Sequence, residues 1–167
     1  MKEPIQQEGD ARDEEFRLED FLPYRLAVAS EAVSRLIARQ YLGASGLGIP
    51  EWRLLAAVGR FTVLSPTAAG DRTSMDKVKV SRAAASLVAR GLLRQSQDPE
   101  DGRGRLLRLT RKGATTYASI KPMAREIETI LAAGLSRTEW NALHKALAKL
   151  VEHAQPLIVA GTDRAAG

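Results

Sequence analysis

The sequence contains no cysteine. That one absence excludes disulfides, thiolate nucleophiles, zinc–sulfur sites and thiol redox sensing. Aromatic residues make up only 5% of the chain, and there are two histidines, His144 and His153. They stand nine positions apart on one expected helix. The i, i+4 spacing of a helical metal pair is therefore missing, and no metal or other cofactor is expected. No apolar run approaches the roughly 20 residues of a membrane span. The opening stretch MKEPIQQEGDARDEEFRLED is acidic and has no apolar centre. It reads as neither signal peptide nor anchor, so the expectation is a cytoplasmic protein that does not engage a membrane. Acidic side chains are plentiful, but none stands with a nucleophile or a glycine-rich phosphate loop. The chain does not read as an enzyme, and no catalytic residue is assigned.

What is present is an uneven charge on a chain of single-domain size. Of 167 residues, 44% are hydrophobic, enough for a real core, and the net charge is +5. Residues 1–21 carry three basic and eight acidic side chains, whereas residues 50–113 carry thirteen basic and six acidic. A basic middle behind an acidic tail suggests a polyanionic partner.

Periodicity divides the chain further. Residues 1–16 are polar and aperiodic and read as a disordered acidic tail. Residues 17–158 read as one folded domain, and 159–167 as a frayed tail. From Arg17, the residues Leu18, Leu22, Leu26, Val33, Leu36 and Ile37 recur at helical spacing, with Pro23 tolerated early in the helix. GASGLG ends that helix, and Pro50 opens a second one with Trp52, Leu55, Ala56, Val58 and Gly59 inward. Ser65-Pro66 is an N-cap followed by a first-turn proline, starting a short, weak helix. Thr73 and Asp76 have capping-box spacing ahead of a strong helix over 75–90, whose apolar stripe is Val80, Ala83, Ala84, Leu87 and Val88. Residues 92–97 and 105–110 are strand candidates around DPEDGRG, a loop with Asp-Pro and Asp-Gly turn chemistry. A long helix over 111–133 follows. Ser136 and Glu139 then form a capping box for a last helix to Ile158, with a seam of Trp140, Leu143, Leu147, Leu150 and Val151.

This order predicts a mainly α fold with a small β-hairpin wing: a winged helix-turn-helix over 48–113, flanked by long dimerisation helices at 17–45 and 114–158. The terminal helices carry apolar faces that a central unit of this size cannot bury, which suggests an intertwined homodimer. A helix with donors at its N-terminal half suits the major groove of double-stranded DNA. Lys77, Lys79, Ser81 and Arg82 lie there, and Ser65, Thr67, Thr73 and Ser74 join them around the short helix and turn. At the wing, Arg103 between two glycines is placed to enter a minor groove, with Arg105 as the alternative. Asp98 and Asp101 are candidate wing supports that orient an arginine through a carboxylate pair.

The run MDKVKVSRAAASLVARGLLRQSQDPEDGRGRLLRLTRKG, residues 75–113, resembles the MarR family of bacterial transcription regulators. It carries that family's D-K-x-x-V-S-R helix, R-G-L, D-x-x-D-x-R wing tip and L-T-x-x-G exit. GIPEWRLLAAVGRF, residues 48–61, resembles the family's second helix. The resemblance implies a dimer that reads a pseudo-palindromic operator. It also implies repression relieved by a small aromatic or anionic effector, such as an aromatic acid or its coenzyme A thioester, through altered spacing of the two recognition helices. In such proteins the effector lies between the dimer helices and the winged unit. That makes Tyr24, Arg25, Trp52, Arg53 and Arg60 the candidate effector contacts. Two departures stand out. Ala68 and Ala69 stand where the short helix usually has an acid and a large apolar residue, with Gly70 following, and Lys79 stands where the family often has a small hydroxyl residue. A sequence-independent architectural DNA protein and a winged-helix protein–protein module are the rival readings.

Overall fold

The computed structural model describes residues 16–102 and 104–164, with the side chains of 40–44 and 159–164 outside the description. The acidic tail expected over 1–16 therefore lies outside the described residues apart from Phe16. Arg103 lies outside them too.

Helix α1 spans Leu22–Ala44 and follows a short 3-10 turn at Leu18–Asp20. It begins five residues later than the periodicity from Arg17 implies. Pro23 has no N–H to give to a preceding turn, so it takes a place in the first turn of the helix instead. Arg25 ties the two pieces together, donating to the Glu19 carbonyl at 2.6 Å and to Asp20 Oδ1 at 2.7 Å. Only Val33, Ser34 and Leu36–Ala38 of α1 are half-buried among its described side chains; Leu22, Leu26 and Val28 are exposed.

Helix α2, Ile49–Phe61, starts with a proline in its first turn and Glu51 three residues after the cap. Glu51 accepts from the Gly48 N–H at 2.7 Å and from the Ser86 hydroxyl. Arg90 lies 3.8 Å from the same carboxylate and donates to the carbonyls of Ser45, at 2.7 Å, and Gly46, at 3.0 Å. This cluster pins the start of α2 to the end of α4. Strand β1, Val63–Leu64, comes next. It was not expected, because two residues carry no readable alternation.

Helix α3 spans Pro66–Thr73, and the Ser65 hydroxyl caps it by accepting from the Ala68 N–H at 3.2 Å, as the sequence implies. Helix α4 spans Lys77–Ala89. The capping box expected between Thr73 and Asp76 does not form. Thr73 ends α3 and donates to the Ala69 carbonyl at 2.6 Å, while Asp76 is itself the N-cap of α4, accepting from the Lys79 N–H at 2.8 Å. Between the two helices, Ser74 takes the left-handed conformation, φ 54°, and Met75 is buried. A short polar side chain suits that conformation better than a branched one.

Strands β2, Leu93–Gln97, and β3, Arg105–Leu109, form the hairpin in the register Leu93↔Leu109 to Gln97↔Arg105. β1 adds to the other side of β3, giving an antiparallel sheet of order β1-β3-β2. Helix α5, Arg111–Ala132, is capped by Thr110, and its first turn lies against the wing. A Cβ at Gly113 would overlap the Leu92 carbonyl, so this approach needs glycine.

Helix α6 spans Arg137–Arg164, six residues beyond the expected end at Ile158. Leu157, Ile158 and Ala160 continue the helix, and a lone Gly161 does not stop it. Its start is as expected: the Ser136 N–H donates to Glu139 Oε2 at 2.8 Å and the Glu139 N–H to Ser136 Oγ at 3.2 Å. The core draws on Leu47, α2, α4, the sheet and α5. Its largest fully buried side chains are Leu47, Leu54, Leu55, Leu87, Leu93, Leu107, Val58 and Val80. Each is worth about 1.5–3 kcal/mol of burial. No residue of α6 is buried among those described, and Leu143, Leu147, Leu150, Val151, Leu157 and Ile158 are exposed.

Candidate nucleic-acid interface and adjoining pocket

The burial of Val80, Ala83, Ala84 and Leu87 fixes which face of α4 meets solvent. That face carries Lys77, Ser81 and Arg82, all exposed. Neither Lys77 nor Arg82 has an ion pair among the described residues, so their donors are available to a ligand. Lys79 is exposed but engaged, its Nζ lying 3.0 Å from Asp76 Oδ2. The Asp76 carboxyl is held below the usual carboxylate range, first by the Lys79 backbone N–H and then by the Lys79 ammonium. An exposed pair of this kind is weak, and a phosphate can compete for the lysine. Val78, 57% exposed beside Lys77, was not singled out by the sequence. The signal was there in principle, since a valine off the apolar stripe of an otherwise polar face has no core to fill.

The short helix contributes unevenly. Thr67 and Ser74 are exposed. Ser65 spends its hydroxyl oxygen on the cap, and Thr73 its hydroxyl proton on Ala69. The face of α3 and α4 opens into a groove of about 910 Å3. Its far wall is Val151, Ala154, Gln155 and Ile158 of α6.

At the wing, Asp98 acts on the loop itself. Its Oδ1 accepts from the Glu100 N–H at 3.0 Å, its N–H donates to the Gly104 carbonyl at 2.9 Å, and the Asp101 carbonyl accepts from the Gly104 N–H at 2.7 Å. Gln97 Nε2 closes the turn on the Gly102 carbonyl at 2.8 Å. A Cβ at Gly104 would sit 3.0 Å from the Asp98 Cβ, so the tight base of the tip favours glycine. Arg105 is exposed at the start of β3. Arg108 lies opposite Arg94 and Val63, on the other face of the strand from Arg105.

The five candidate effector contacts do not come together. Trp52, Arg53 and Arg60 line one cavity of about 400 Å3. Tyr24 and Arg25 are elsewhere: Tyr24 is exposed on α1, and Arg25 is held by Glu19 and Asp20. Phe61, Arg72 and Tyr117 complete the lining of that cavity. Arg72 stacks over the Phe61 ring at 4.5 Å, Arg60 over the same ring at 5.4 Å, and Lys121 over Tyr117 at 4.6 Å. Tyr117 reaches the cavity because Gly59 leaves room; a Cβ there would lie 2.5 Å from its ring. No sequence pattern links Arg72 and Tyr117 to α2, since they come from different helices. Among the described residues, no cluster could hold a metal ion, and no helix is long and apolar enough to cross a membrane.

Residues 45–104, from the loop before α2 to the wing tip, match the MarR family. No curated protein matches the chain. Solved structures do. A probable transcriptional regulator from Pseudomonas aeruginosa is 29% identical, with a TM-score of 0.71 over 80% of this chain and 99% of that one. The MarR family transcriptional regulator SPO1453 from Silicibacter pomeroyi DSS-3 is 28% identical, with a TM-score of 0.71 over 84% and 99%. BpsR of Bordetella bronchiseptica, whose DNA binding is regulated by 6-hydroxynicotinic acid, is 24% identical, with a TM-score of 0.76 over 81% and 96%.

Proposed function

The chain has the fold of the MarR family of transcription regulators, and from that premise we infer that it is a homodimeric, sequence-specific DNA-binding repressor released by a small anionic aromatic effector. The observation that carries this reading is the exposed face of α4. Lys77, Ser81 and Arg82 present donors with no ion pair among the described residues, beside a wing whose sequence carries Arg103 and Arg105. Arg82 and Ser81 are placed to meet base edges, Lys77 and Lys79 to meet phosphate, and Val78 to touch a thymine methyl group. Thr67 and Ser74 add phosphate contacts from the short helix. Arg103 enters the neighbouring minor groove, and Arg105 stands behind it on the strand.

Dimerisation follows from the same physics. The exposed leucines and valines of α1 and α6 form apolar faces that a second copy of the chain can cover. It also bears on access to DNA, because α6 borders the groove in front of α3 and α4. Packed against a partner, α6 leaves that face open. The two recognition helices then read half-sites about one helical turn, roughly 34–36 Å, apart. A ligand between the dimer helices and the winged unit changes that spacing.

Footprinting on the DNA upstream of the protein's own coding sequence tests the reading. Protection of one pseudo-palindrome is expected. Diffuse protection along the fragment replaces it with an architectural role, and no protection at all leaves a protein–protein module.

A further inference from the structure

The acids ahead of α1 have no counter-charge in the stretch that follows them. Residues 1–15 hold six acidic side chains, Glu3, Glu8, Asp10, Asp13, Glu14 and Glu15, against Lys2 and Arg12, a net charge of −4. Residues 16–35 hold three arginines and three acids, so they offer no surplus. Each of those arginines is already paired. Arg17 lies 3.0 Å from Glu19 and Arg25 lies 2.7 Å from Asp20, ahead of α1 and at its start, and Arg35 lies 3.0 Å from Glu31 further along the helix.

Helix α4 shows the opposite imbalance. It carries three cations and no acid, and the acid at its cap, Asp76, is spent on Lys79. Lys77 and Arg82 are exposed and have no ion pair among the described residues. Lys77 also lines the groove of about 910 Å3 in front of α4, where Asp71 is the one carboxylate among the lining residues. That volume is at the upper end for a binding site and has room for a peptide segment. The segment is long enough to return. Leu22, at the start of α1, is roughly 21 Å of helix away from Leu36, which packs against the core. Residues 1–15 can span at most about 50 Å, more than twice that distance.

We infer that the exposed face of α4 is an interaction surface for the acidic segment 1–15 of the chain itself, and that this segment competes with DNA for Lys77 and Arg82. The inference rests on the reading of the chain as a DNA-binding regulator. Carboxylates take the same donors that phosphates take. Each exposed pair is weak, but the tether raises the local concentration of the acids to about the millimolar range. DNA then binds only the fraction of molecules whose α4 face is free, and its apparent affinity falls by that fraction. Salt weakens the internal contact, so the competition fades as ionic strength rises.

The test compares the full chain with a full-length variant in which the six acids become amides: Glu3→Gln, Glu8→Gln, Asp10→Asn, Asp13→Asn, Glu14→Gln and Glu15→Gln. The variant should bind the upstream DNA roughly three- to tenfold more tightly at about 50 mM salt, and the gain should be lost by about 200 mM. Equal affinity at low salt overturns the inference. Long-range repulsion between the acids and DNA would also produce a gain, so Lys77→Gln is added to both proteins. A shared contact makes the gain smaller in the Lys77→Gln background. An equal gain in both backgrounds assigns the effect to repulsion and overturns the contact. A second readout needs no DNA. A water-soluble carbodiimide joins a carboxylate to an amine paired with it, and the linked peptides are identified by mass. The Asp76–Lys79 pair is the internal control. A link from residues 1–15 to Lys77 is expected. The control link with none to Lys77, or links from 1–15 to Lys112 or Lys121 alone, overturns the inference and leaves the regulator reading standing. If neither protein binds the DNA, the regulator reading itself fails, and the competition fails with it whatever the cross-links show.

Discussion

Replacing Arg82 with alanine separates the DNA-binding argument from stability. Arg82 is exposed on α4 and makes no ion pair among the described residues, so its loss removes no intrachain contact of consequence. The variant should unfold in urea within about 0.5 kcal/mol of the parent. Its affinity for the upstream DNA should fall much further. A bidentate base contact is worth about 1–3 kcal/mol. A dimer loses two, so a loss of about 2–6 kcal/mol is expected, roughly 30-fold to more than 10,000-fold in Kd. If Arg82 touches only phosphate, the signature differs. The slope of log affinity against log salt should flatten by about 1.8, from two contacts at about 0.9 each, with little change in sequence preference. Fluorescence anisotropy on a labelled fragment between about 50 and 200 mM salt distinguishes the two. A Kd within twofold of the parent together with an unchanged slope would refute the placement of α4 against DNA.

Other expectations concern the frame that holds this face. Gly113→Ala should destabilise by about 1–3 kcal/mol in urea melts, because its methyl group must displace the Leu92 carbonyl at the foot of the wing; a neutral result would mean that α5 does not press on the wing. Glu51→Ala strands the Gly48 N–H and the Ser86 hydroxyl and should cost about 2–3 kcal/mol, while Glu51→Gln, which keeps acceptors, should cost less. Asp76 has a folded-state pKa below its unfolded value, so its contribution is fully present above the ordinary aspartate range. That contribution is lost as pH falls through the lowered folded value. The difference in thermal midpoint between parent and Asp76→Ala should therefore shrink in strong acid, and a difference that grows on acidification would contradict the cap. Sedimentation should give twice the 18.2 kDa chain mass. Leu147→Glu together with Leu150→Glu, on the exposed seam of α6, should give a folded monomer that no longer protects a palindrome.

The wing and α4 were legible because local chemistry specifies them. Alternation in RLLRLT, Asp-Gly at the tip, and an apolar stripe at helical spacing in α4 each depend on neighbours within a few residues. Errors fell where local signals competed. Thr73 and Asp76 have the spacing of a capping box, but the backbone turns left-handed at Ser74, so the aspartate caps the next helix alone. Pro23 marked an early turn, yet the residues before it had enough periodicity to suggest more helix than forms. At the wing, Asp98 accepts from the Glu100 N–H, a loop contact that the sequence did not single out.

The sequence by itself determined the order of the long helices, the hairpin, the basic character of the middle of the chain and the exclusion of thiol chemistry. These follow from periodicity, turn residues and composition, which are properties of contiguous residues. Only the tertiary structure decided that Lys79 is paired while Lys77 and Arg82 have no ion pair among the described residues, and that Arg25 serves the start of α1. It also decided that Trp52, Arg53 and Arg60 share a cavity with Phe61, Arg72 and Tyr117. That cavity depends on Gly59 admitting a ring from a helix more than fifty residues away in the chain. Contacts between distant segments are set by how packed helices meet, and a single sequence carries no local mark of them.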